Sequence, residues 1–207
     1  MADIELNWPL DLRPGEQSFY IRTLSTKFEN PLTGQVQVLE RDAARWVTKL
    51  SLVRAELDSR RLDALLAALR GSVGHVFVPD FRRPSAKGSL AGTPQLVSGT
   101  GNTITIDGFT PDAVGVLKAG DLIQTSPGRS HITLQDVDAD ETGEALVAIA
   151  PRLREAVTVG PLITDNCRVR MRLVDDDAAE NATDNRRLSS FDLEVIQAIY
   201  ENTNGQP

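Results

Sequence analysis

The chain has 207 residues, of which 41% are hydrophobic and 25% charged, and its formal net charge is −7 at pH 7. This length allows one large or two small domains, and the composition is typical of soluble globular proteins. The net negative charge argues against broad electrostatic binding to nucleic acid phosphates.

No apolar run reaches the ~18 residues that a membrane span needs, which predicts no membrane anchor. The first ten residues, MADIELNWPL, lack the basic and apolar regions of a secretory signal. We therefore expect a protein that is made and folded in a reducing cytoplasm.

The first third of the chain alternates apolar and polar residues, which is the pattern of β-strands. Three segments follow it: Gln17–Phe28, Gln35–Glu40 and Arg45–Val53. Proline and glycine in residues 30–34 indicate a turn, and residues 41–45 indicate a second, looser connection. These segments predict a three-stranded antiparallel meander. In its third strand one face holds Trp46, Thr48, Leu50 and Leu52.

The period then changes to that of a helix, predicted over about residues 55–70. Its apolar stripe, which consists of Leu62, Leu65, Leu66 and Leu69, recurs at i, i+3, i+4 and i+7. Arg70 falls in the last turn, where a cation suits the helix dipole, and Gly71 is the expected C-cap. We expect the stripe to pack on the protein's own sheet rather than on a partner. The segment His75–Phe81 then indicates another strand.

A segment rich in proline, glycine and serine, Arg82–Gln95, indicates a domain boundary. Short strands at spacings of roughly 10–15 residues follow as far as about Ile163, as in a small all-β module. Alternation returns in Arg168–Val174, a polar loop follows, and Ser190–Ala198 is the predicted last strand.

The sequence therefore predicts a mainly β fold with one helix, of the α+β class. Residues 1–86 and 164–200 would form an outer domain that contains the helix, and residues 88–163 an inserted β-barrel or β-sandwich module. Loop tips with adjacent chain ends are favoured positions for such insertions. Residues 201–207 are expected to form a disordered tail.

Histidine and cysteine residues give no catalytic or metal-binding pattern. Cys167 is the only cysteine, which excludes an intramolecular disulfide, and we expect a buried structural thiol. His75 and His131 are about 55 residues apart and in different predicted domains, so both are interpreted as structural histidines.

Acidic and glycine-rich segments give no such pattern either. Asp136–Glu144 lacks the glycine and glutamate of an EF-hand loop and is interpreted as a solvated hairpin turn with Thr142 and Gly143 at its tip. Asp175–Asp177 is interpreted as an exposed loop, because consecutive residues of an extended chain point in opposite directions. Gly99–Gly108 leads into a β-pattern, which indicates a turn rather than a phosphate-binding loop. No catalytic, cofactor-binding or metal-binding residue is therefore predicted, and no cofactor.

The two tryptophans are possible interface anchors. Trp46 shares a face with leucines and is expected in the core. Trp8 lies in a proline-flanked segment of weak strand or helix pattern, and interface contact and burial are equally compatible with it.

The order of these features resembles the distal-tail family of structural proteins from long-tailed phages and prophages. Three blocks are similar to it: the Pro-x-Thr-Gly turn, glutamine-rich strand and Arg-Trp of Asn30–Leu52; the Leu-Arg-Gly helix end and following strand of Leu62–Pro84; and Leu117–Arg154, with its Ala-Gly-Asp opening, histidine strand, acidic turn and Pro-x-Leu-Arg close. Phe191–Ala198 is similar to the family's final strand. Together the blocks extend over most of residues 30–198.

The resemblance implies a structural role in the virion, at the tail tip or baseplate, after synthesis in the host cytoplasm. It implies a β-sandwich or split-barrel-like domain that forms a homo-oligomeric ring, expected to be a hexamer. The ring would connect the tail tube protein to the tail-tip or baseplate hub protein. DNA would pass through its lumen without specific binding, and a negatively charged wall would reduce adhesion.

Two other classes of function remain open at this point. The inserted module could bind carbohydrate or a host receptor, although few aromatic residues in it could stack on sugars. A small hydrolase, such as a cell-wall hydrolase, would need paired acids or a metal set, and none has a useful spacing.

Overall fold

The computed structural model describes residues 4–199, except for the side chains of residues 40, 42, 178 and 179. Within that range the chain is mainly β with a single α-helix, as predicted. The elements are β1 Glu5–Asn7, β2 Glu16–Glu29, β3 Val36–Ala55, α1 Glu56–Leu69, β4 His75–Pro79, β5 Gly92–Thr100, β6 Thr103–Phe109, β7 Leu122–Ser126, β8 Arg129–Thr133, β9 Ala145–Ala150, β10 Gly160–Pro161, β11 Arg168–Leu173, β12 Asn181–Thr183 and β13 Leu188–Gln197.

The first sheet brings together strands from both ends of the described chain. Its order is β1-β4-β11-β13-β3-β2. The short strand β12 pairs with the first half of β13, on the side opposite to β3. All its pairs are antiparallel except that of β1 with β4. Helix α1 covers one face with its buried leucines, so this face forms a hydrophobic core. The largest side chains of that core include Trp8, Trp46, Leu62, Met171 and Phe191.

The second sheet consists of strands from residues 92–161, in the order β10-β5-β6-β9-β8-β7. Its pairs are antiparallel, and the hairpin between β5 and β6 turns at Gly101, whose φ is 57°. A second hydrophobic core lies against it and includes Ile104, Ile123 and Val147. The division of the chain into an outer domain and an inserted module stays a prediction.

The side chains that the alternating and helical patterns predict to face the core are buried in the structure. Trp46, Thr48, Leu50 and Leu52 are all buried, as expected for one core-facing side of a strand. On α1, Leu62, Leu66 and Leu69 are buried and Leu65 packs against the same core. Alternate residues of β11 and β13 are buried in the same way.

The predicted three-stranded meander is wrong. Residues 41–45 do not form a connection, because β3 runs without interruption from Val36 to Ala55. The pairing with β2 shifts register there: Arg22 is opposite Arg45 and Leu24 is opposite Arg41, so three residues of β3 lie opposite Thr23. A bulge of this kind accommodates a polar interruption while the strand continues.

Three smaller predictions also need correction. The boundary segment Arg82–Gln95 contains the start of β5 at Gly92. The polar loop after β11 contains a 3₁₀ turn, Asp176–Ala179, and strand β12. The C-cap of the helix is Arg70 rather than Gly71, and Arg70 has the left-handed conformation at φ 54°. The predicted disordered tail lies outside the described residues.

Hydrogen bonds join the two sheets near Trp46. Its indole N–H donates to the carbonyl of Ser130 in β8 at 2.8 Å, and the Ser130 hydroxyl donates to the carbonyl of Arg168 at 2.7 Å. The backbone N–H of Arg170 donates to Gly128 at 2.9 Å. These bonds connect the β7–β8 hairpin to β3 and β11.

Candidate assembly surface

The distal half of the β2–β3 hairpin extends beyond the core. We call residues 24–41, which lie beyond the register shift, the arm. Six pairs of residues face each other along it, from Leu24 opposite Arg41 to Glu29 opposite Val36. Apart from the half-buried Thr26, every arm side chain that the structure describes is exposed. A two-stranded ribbon exposed on both faces gains little stability from burial of its own side chains.

The tip of the arm closes through local hydrogen bonds. The N–H of Asn30 donates to the carbonyl of Gln35 at 2.9 Å, and that of Gly34 donates to Asn30 at 2.8 Å. The side-chain oxygen of Asn30 also accepts the N–H of Leu32 at 2.9 Å. Gly34 has φ 67°, which glycine adopts at low cost. The predicted turn at residues 30–34 is therefore present.

Apolar side chains lie on the surface of the arm. Leu24, Phe28 and Leu39 share one face and are 47%, 56% and 54% exposed. Val36 and Val38 are on the opposite face, and Leu32 at the tip is 93% exposed. Contiguous exposed apolar groups of this kind mark interaction surfaces in soluble proteins.

The arm also has two unpaired strand edges. Strand β2 is the last strand of its sheet, so its outer edge has no partner strand among the described residues. Strand β13 pairs with β3 only over Val47–Ala55, so the outer edge of residues 36–45 also lacks a partner strand in the described part of the chain. Exposed edges present rows of N–H and C=O groups that can pair with another chain.

A cleft of about 350 Å³ separates the base of the arm from the second sheet. Its lining includes Ile21 and Ile149, and Arg41 and Arg152 contribute positive charge. Farther along the base, Arg154 donates to the carbonyl of Ala44 at 3.1 Å.

Four arginines come together at this base. Burial lowers the pKa of the Arg45 guanidinium, and the positive charges of three other arginines lower it further. These three are Arg22, Arg172 and Arg154. Because they belong to β2, β11 and the segment after β9, the folded structure alone brings them together.

The two histidines are buried and each has a polar contact, which is compatible with the structural role expected for them. His131 is buried, and its Nδ1 donates to the carbonyl of Pro151 at 2.6 Å. Burial lowers the pKa of His131 to about 4, and the charge of Arg129 also lowers it. His75 is buried beside Arg170, with 3.0 Å between its Nδ1 and the Arg170 Nη2. The structure places the two histidines in different sheets.

Cys167 is the predicted buried thiol. Its Sγ lies 3.4 Å from the carbonyl oxygens of Leu122 and Ile163. Burial raises the pKa of the thiol to about 12, and the negative charge of Asp165 raises it further. A thiol of this kind is a poor nucleophile at neutral pH.

The acidic segments serve as local caps. In the predicted hairpin turn, the Asp140 carboxylate accepts the N–H groups of Thr142 and Glu144. Asp175–Asp177 is exposed, as predicted, and Asp176 accepts the N–H of Ser72 at 2.9 Å. Among the side chains that the structure describes, no three from histidine, cysteine or acidic residues are grouped to hold a metal ion.

The structure shows the predicted turn within Gly99–Gly108 and buries both tryptophans. Gly101 forms the turn between β5 and β6, as expected for Gly99–Gly108. Trp46 is in the core, 4.9 Å from the ring of Phe19. Trp8 is buried too, and its indole N–H donates to Leu12 at 2.9 Å. An interface role for Trp8 is therefore excluded in the folded chain.

The arm's apolar residues and the arginine cluster were not predicted from the sequence. One signal for the arm was present, because apolar residues occur on both faces of the hairpin. Phe28 lies on one face and Val38 on the other. A strand that is half-buried in a domain has them on one face only. The arginines have no local signal, because they are far apart in the chain.

Comparison with protein-family models found no match for the chain, and comparison with curated proteins found none either. The helix that the structure describes is too short and too polar to cross a membrane.

Proposed function

We propose that the protein is a structural component of a long-tailed phage virion, which forms a ring at the distal end of the tail tube. In this proposal it joins the tube protein to the tail-tip or baseplate hub. The observation that supports it most strongly is the arm, whose two outer edges have no partner strand within the described chain and whose apolar side chains are about half exposed. The order of sequence blocks that resembles the distal-tail family supports it independently.

The two edges suggest how a ring would close. Each copy offers one β2 edge and one β3 edge, on opposite sides of the same hairpin. Pairing the β3 edge of one copy with the β2 edge of the next keeps the antiparallel order and uses both edges. Head-to-tail contacts of this type form closed rings when the rotation between copies closes. The resemblance suggests six copies.

The energy of such a contact is adequate for assembly. Each new backbone hydrogen bond along residues 36–45 contributes about 1 kcal/mol net. Burial of Leu24, Phe28 and Leu39 adds roughly 1–2 kcal/mol for each side chain. Each copy uses both of its edges in a closed ring, which therefore has one contact more than an open chain of the same number of copies.

Native mass spectrometry of the full chain tests the proposal. The unmodified protein is expected to give one closed ring mass, and electron microscopy should show rings. A triple variant, Leu24→Ser, Phe28→Ser and Leu39→Ser, should be monomeric with unchanged circular dichroism. The matched control replaces three exposed apolar residues far from the arm in sequence, one in β9 and two in connecting segments: Leu146→Ser, Val114→Ser and Val159→Ser.

The control variant is expected to form rings like the unmodified protein. A chain that stays monomeric at every concentration tested would contradict the proposal. Rings that survive the triple arm substitution would contradict the role of the arm.

A further inference from the structure

The outer edge of β3 is closed where the arm begins. Strand β13 covers this edge over Val47–Ala55. Next to it, the side-chain oxygen of Gln197 accepts the N–H of Trp46 at 3.0 Å. Arg154 then donates to the carbonyl of Ala44 at 3.1 Å. Backbone groups that already have these partners are not free to bond to a strand of another copy, so a strand added to β3 has to stop before Ala44.

The backbone of the arm offers hydrogen bonds to a neighbouring strand only at alternate residues. On β2 these are the odd-numbered residues, because Arg82 donates to the outward carbonyl of Phe19 at 2.7 Å. On β3 they are the even-numbered residues, because the N–H of Trp46 points away from β2, to Gln197. Across the register shift β3 advances four residues while β2 advances two, so this alternation continues into the arm.

The alternation restricts how the β2 edge of one copy can meet the β3 edge of the next. In the middle register, Thr26 of one copy lies opposite Leu39 of the next. A shift of two residues gives either the base register, with Thr26 opposite Arg41, or the tip register, with Thr26 opposite Gln37. The arm's own contacts distinguish between these three registers.

The base register conflicts with the closed end of β3. It would place Thr23 of the added strand opposite Ala44, whose carbonyl already accepts a hydrogen bond from Arg154. It would also take the added strand across the register shift of β3, where the backbone is irregular. A larger shift in this direction meets Gln197 and β13 as well.

The tip register conflicts with charge and with apolar contact. It would place Arg22 of one copy directly opposite Arg41 of the next, and like charges in this position destabilise a sheet. Arg22 already faces Arg45, whose pKa is lowered by burial and further by the charge of Arg22. Any shift towards the tip also leaves Phe28 beyond Val36, the first residue of β3.

We propose that copies of the chain join in the middle register, and that Arg154 and Gln197 are the positioning residues that exclude pairing nearer the base. This inference rests on the proposed function, in which the two arm edges join neighbouring copies. A second copy suits these edges because they run in opposite directions and carry apolar side chains on the same face.

The middle register gives the exposed apolar residues of the arm a partner. Leu39 would lie between the Thr26 residues of two copies, with Leu24 and Phe28 of both copies on its diagonals. Diagonal neighbours of this kind are within reach of aromatic and long side chains. The half-exposed Leu24, Phe28 and Leu39 would thereby form one continuous apolar row from copy to copy.

Disulfide cross-linking of the full chain measures the register. One copy carries Thr26→Cys, and the co-expressed copy carries Leu39→Cys, Gln37→Cys or Arg41→Cys, so each mixture reports one register. Directly opposed residues of a non-bonded pair have Cα atoms about 4.5 Å apart, which a disulfide spans. The native Cys167 is buried, with its pKa raised to about 12, and should not react.

After mild oxidation, the mixture of Thr26→Cys with Leu39→Cys should give about tenfold more dimer on a non-reducing gel than either other mixture. Each variant expressed alone is the control and should give no dimer. Equal or greater cross-linking to Gln37→Cys or Arg41→Cys would overturn the proposal. Dimers of Thr26→Cys alone would overturn it too, because they would show pairing of two β2 edges.

The positioning role is tested by Arg154→Ala in both copies. Cross-linking of Thr26→Cys to Arg41→Cys should then rise about threefold, because the Ala44 carbonyl becomes free for the added strand. A purely structural role of Arg154 would not change the site of cross-linking. The matched control, Arg186→Ala, removes an exposed arginine of the β12–β13 turn and should leave the pattern unchanged. An unchanged pattern in Arg154→Ala would contradict its positioning role.

Native mass spectrometry of the same samples separates this proposal from the one on which it rests. Rings that cross-link in another register, or in none of the three, contradict only the inference about the register. Monomers without any cross-link contradict both.

Discussion

His131 illustrates how burial decides the chemistry of a single residue. The ring is enclosed next to Pro151, and its neutral form is favoured because burial penalises the charged imidazolium. The folded pKa of about 4 is below the ordinary value of 6.5. The folded state therefore binds this proton less readily than the unfolded chain does. The resulting stabilisation is complete above pH 6.5 and decreases as the pH falls towards about 4.

We predict that His131 makes the protein sensitive to mild acid. Between pH 6.5 and about 4 the difference in pKa corresponds to a loss of about 3 kcal/mol in the free energy of unfolding. His131→Asn keeps a donor for the Pro151 carbonyl and cannot titrate, so its stability should change less over this range. Urea unfolding at several pH values measures both. Equal pH dependence of the two proteins would show that His131 is not the cause.

Cys167 leads to a second prediction at this scale. Burial and the raised pKa of its thiol should make it unreactive towards a thiol reagent in the native protein at neutral pH. In concentrated urea the same thiol should react at the rate of a free cysteine. Fast modification without denaturant, followed by absorbance, would contradict the burial.

At the scale of elements, the end of helix α1 shows a non-glycine residue in a conformation that favours glycine. Arg70 has φ 54° and donates its N–H to Ala67 at 3.3 Å. Gly71 has φ 67° and is packed so tightly that an added Cβ would lie 2.5 Å from the Asp176 carboxylate. The helix end thus uses two successive left-handed residues, of which only the second is glycine.

We predict opposite effects for substitutions at these two positions. Arg70→Gly should raise the free energy of unfolding by about 0.5–1 kcal/mol, because a left-handed arginine is strained. Gly71→Ala should lower it by at least about 1 kcal/mol, through strain and the clash with Asp176. Urea denaturation of both variants measures the effects. A destabilised Arg70→Gly variant would show that the arginine side chain contributes more than its backbone costs.

At the scale of the whole molecule, hydrogen bonds and a shared core residue, Leu122, connect the two sheets. Trp46 belongs to the core of the first sheet, yet its indole bonds to Ser130 in the second. Its backbone N–H donates to the side-chain oxygen of Gln197, in the last strand, at 3.0 Å. The β7–β8 hairpin is thereby tied to the base of the arm.

We predict that Trp46→Phe lowers the free energy of unfolding by about 2–3 kcal/mol. The change leaves the buried carbonyl of Ser130 without its donor and opens a small cavity beside Phe19. Trp8→Phe is the comparison, since it removes a short-range indole bond within one segment. Only the Trp46 variant should also alter exchange of amide hydrogens in the β7–β8 hairpin. Equal exchange in both variants would show that the indole does not couple the sheets.

Much of the local structure follows from sequence patterns alone. Alternation placed Val169, Met171 and Leu173 in the core, and the helical period did the same for Leu62 and Leu69. Such patterns are reliable because the period of side-chain direction is a property of each element by itself. The bulge in β3 was missed because its polar residues are compatible with a loop as well as with an irregular strand.

The sequence by itself determined the class of fold, the positions of most strands and the helix, and the burial of Cys167, since each depends on neighbours within a few residues or on composition. Only the tertiary structure decided that the arm extends beyond the core, that two of its edges have no partner strand in the described chain, and that four arginines meet at its base. These features depend on which distant strands become neighbours. Pairing between segments more than a hundred residues apart leaves no periodic signal in either of them.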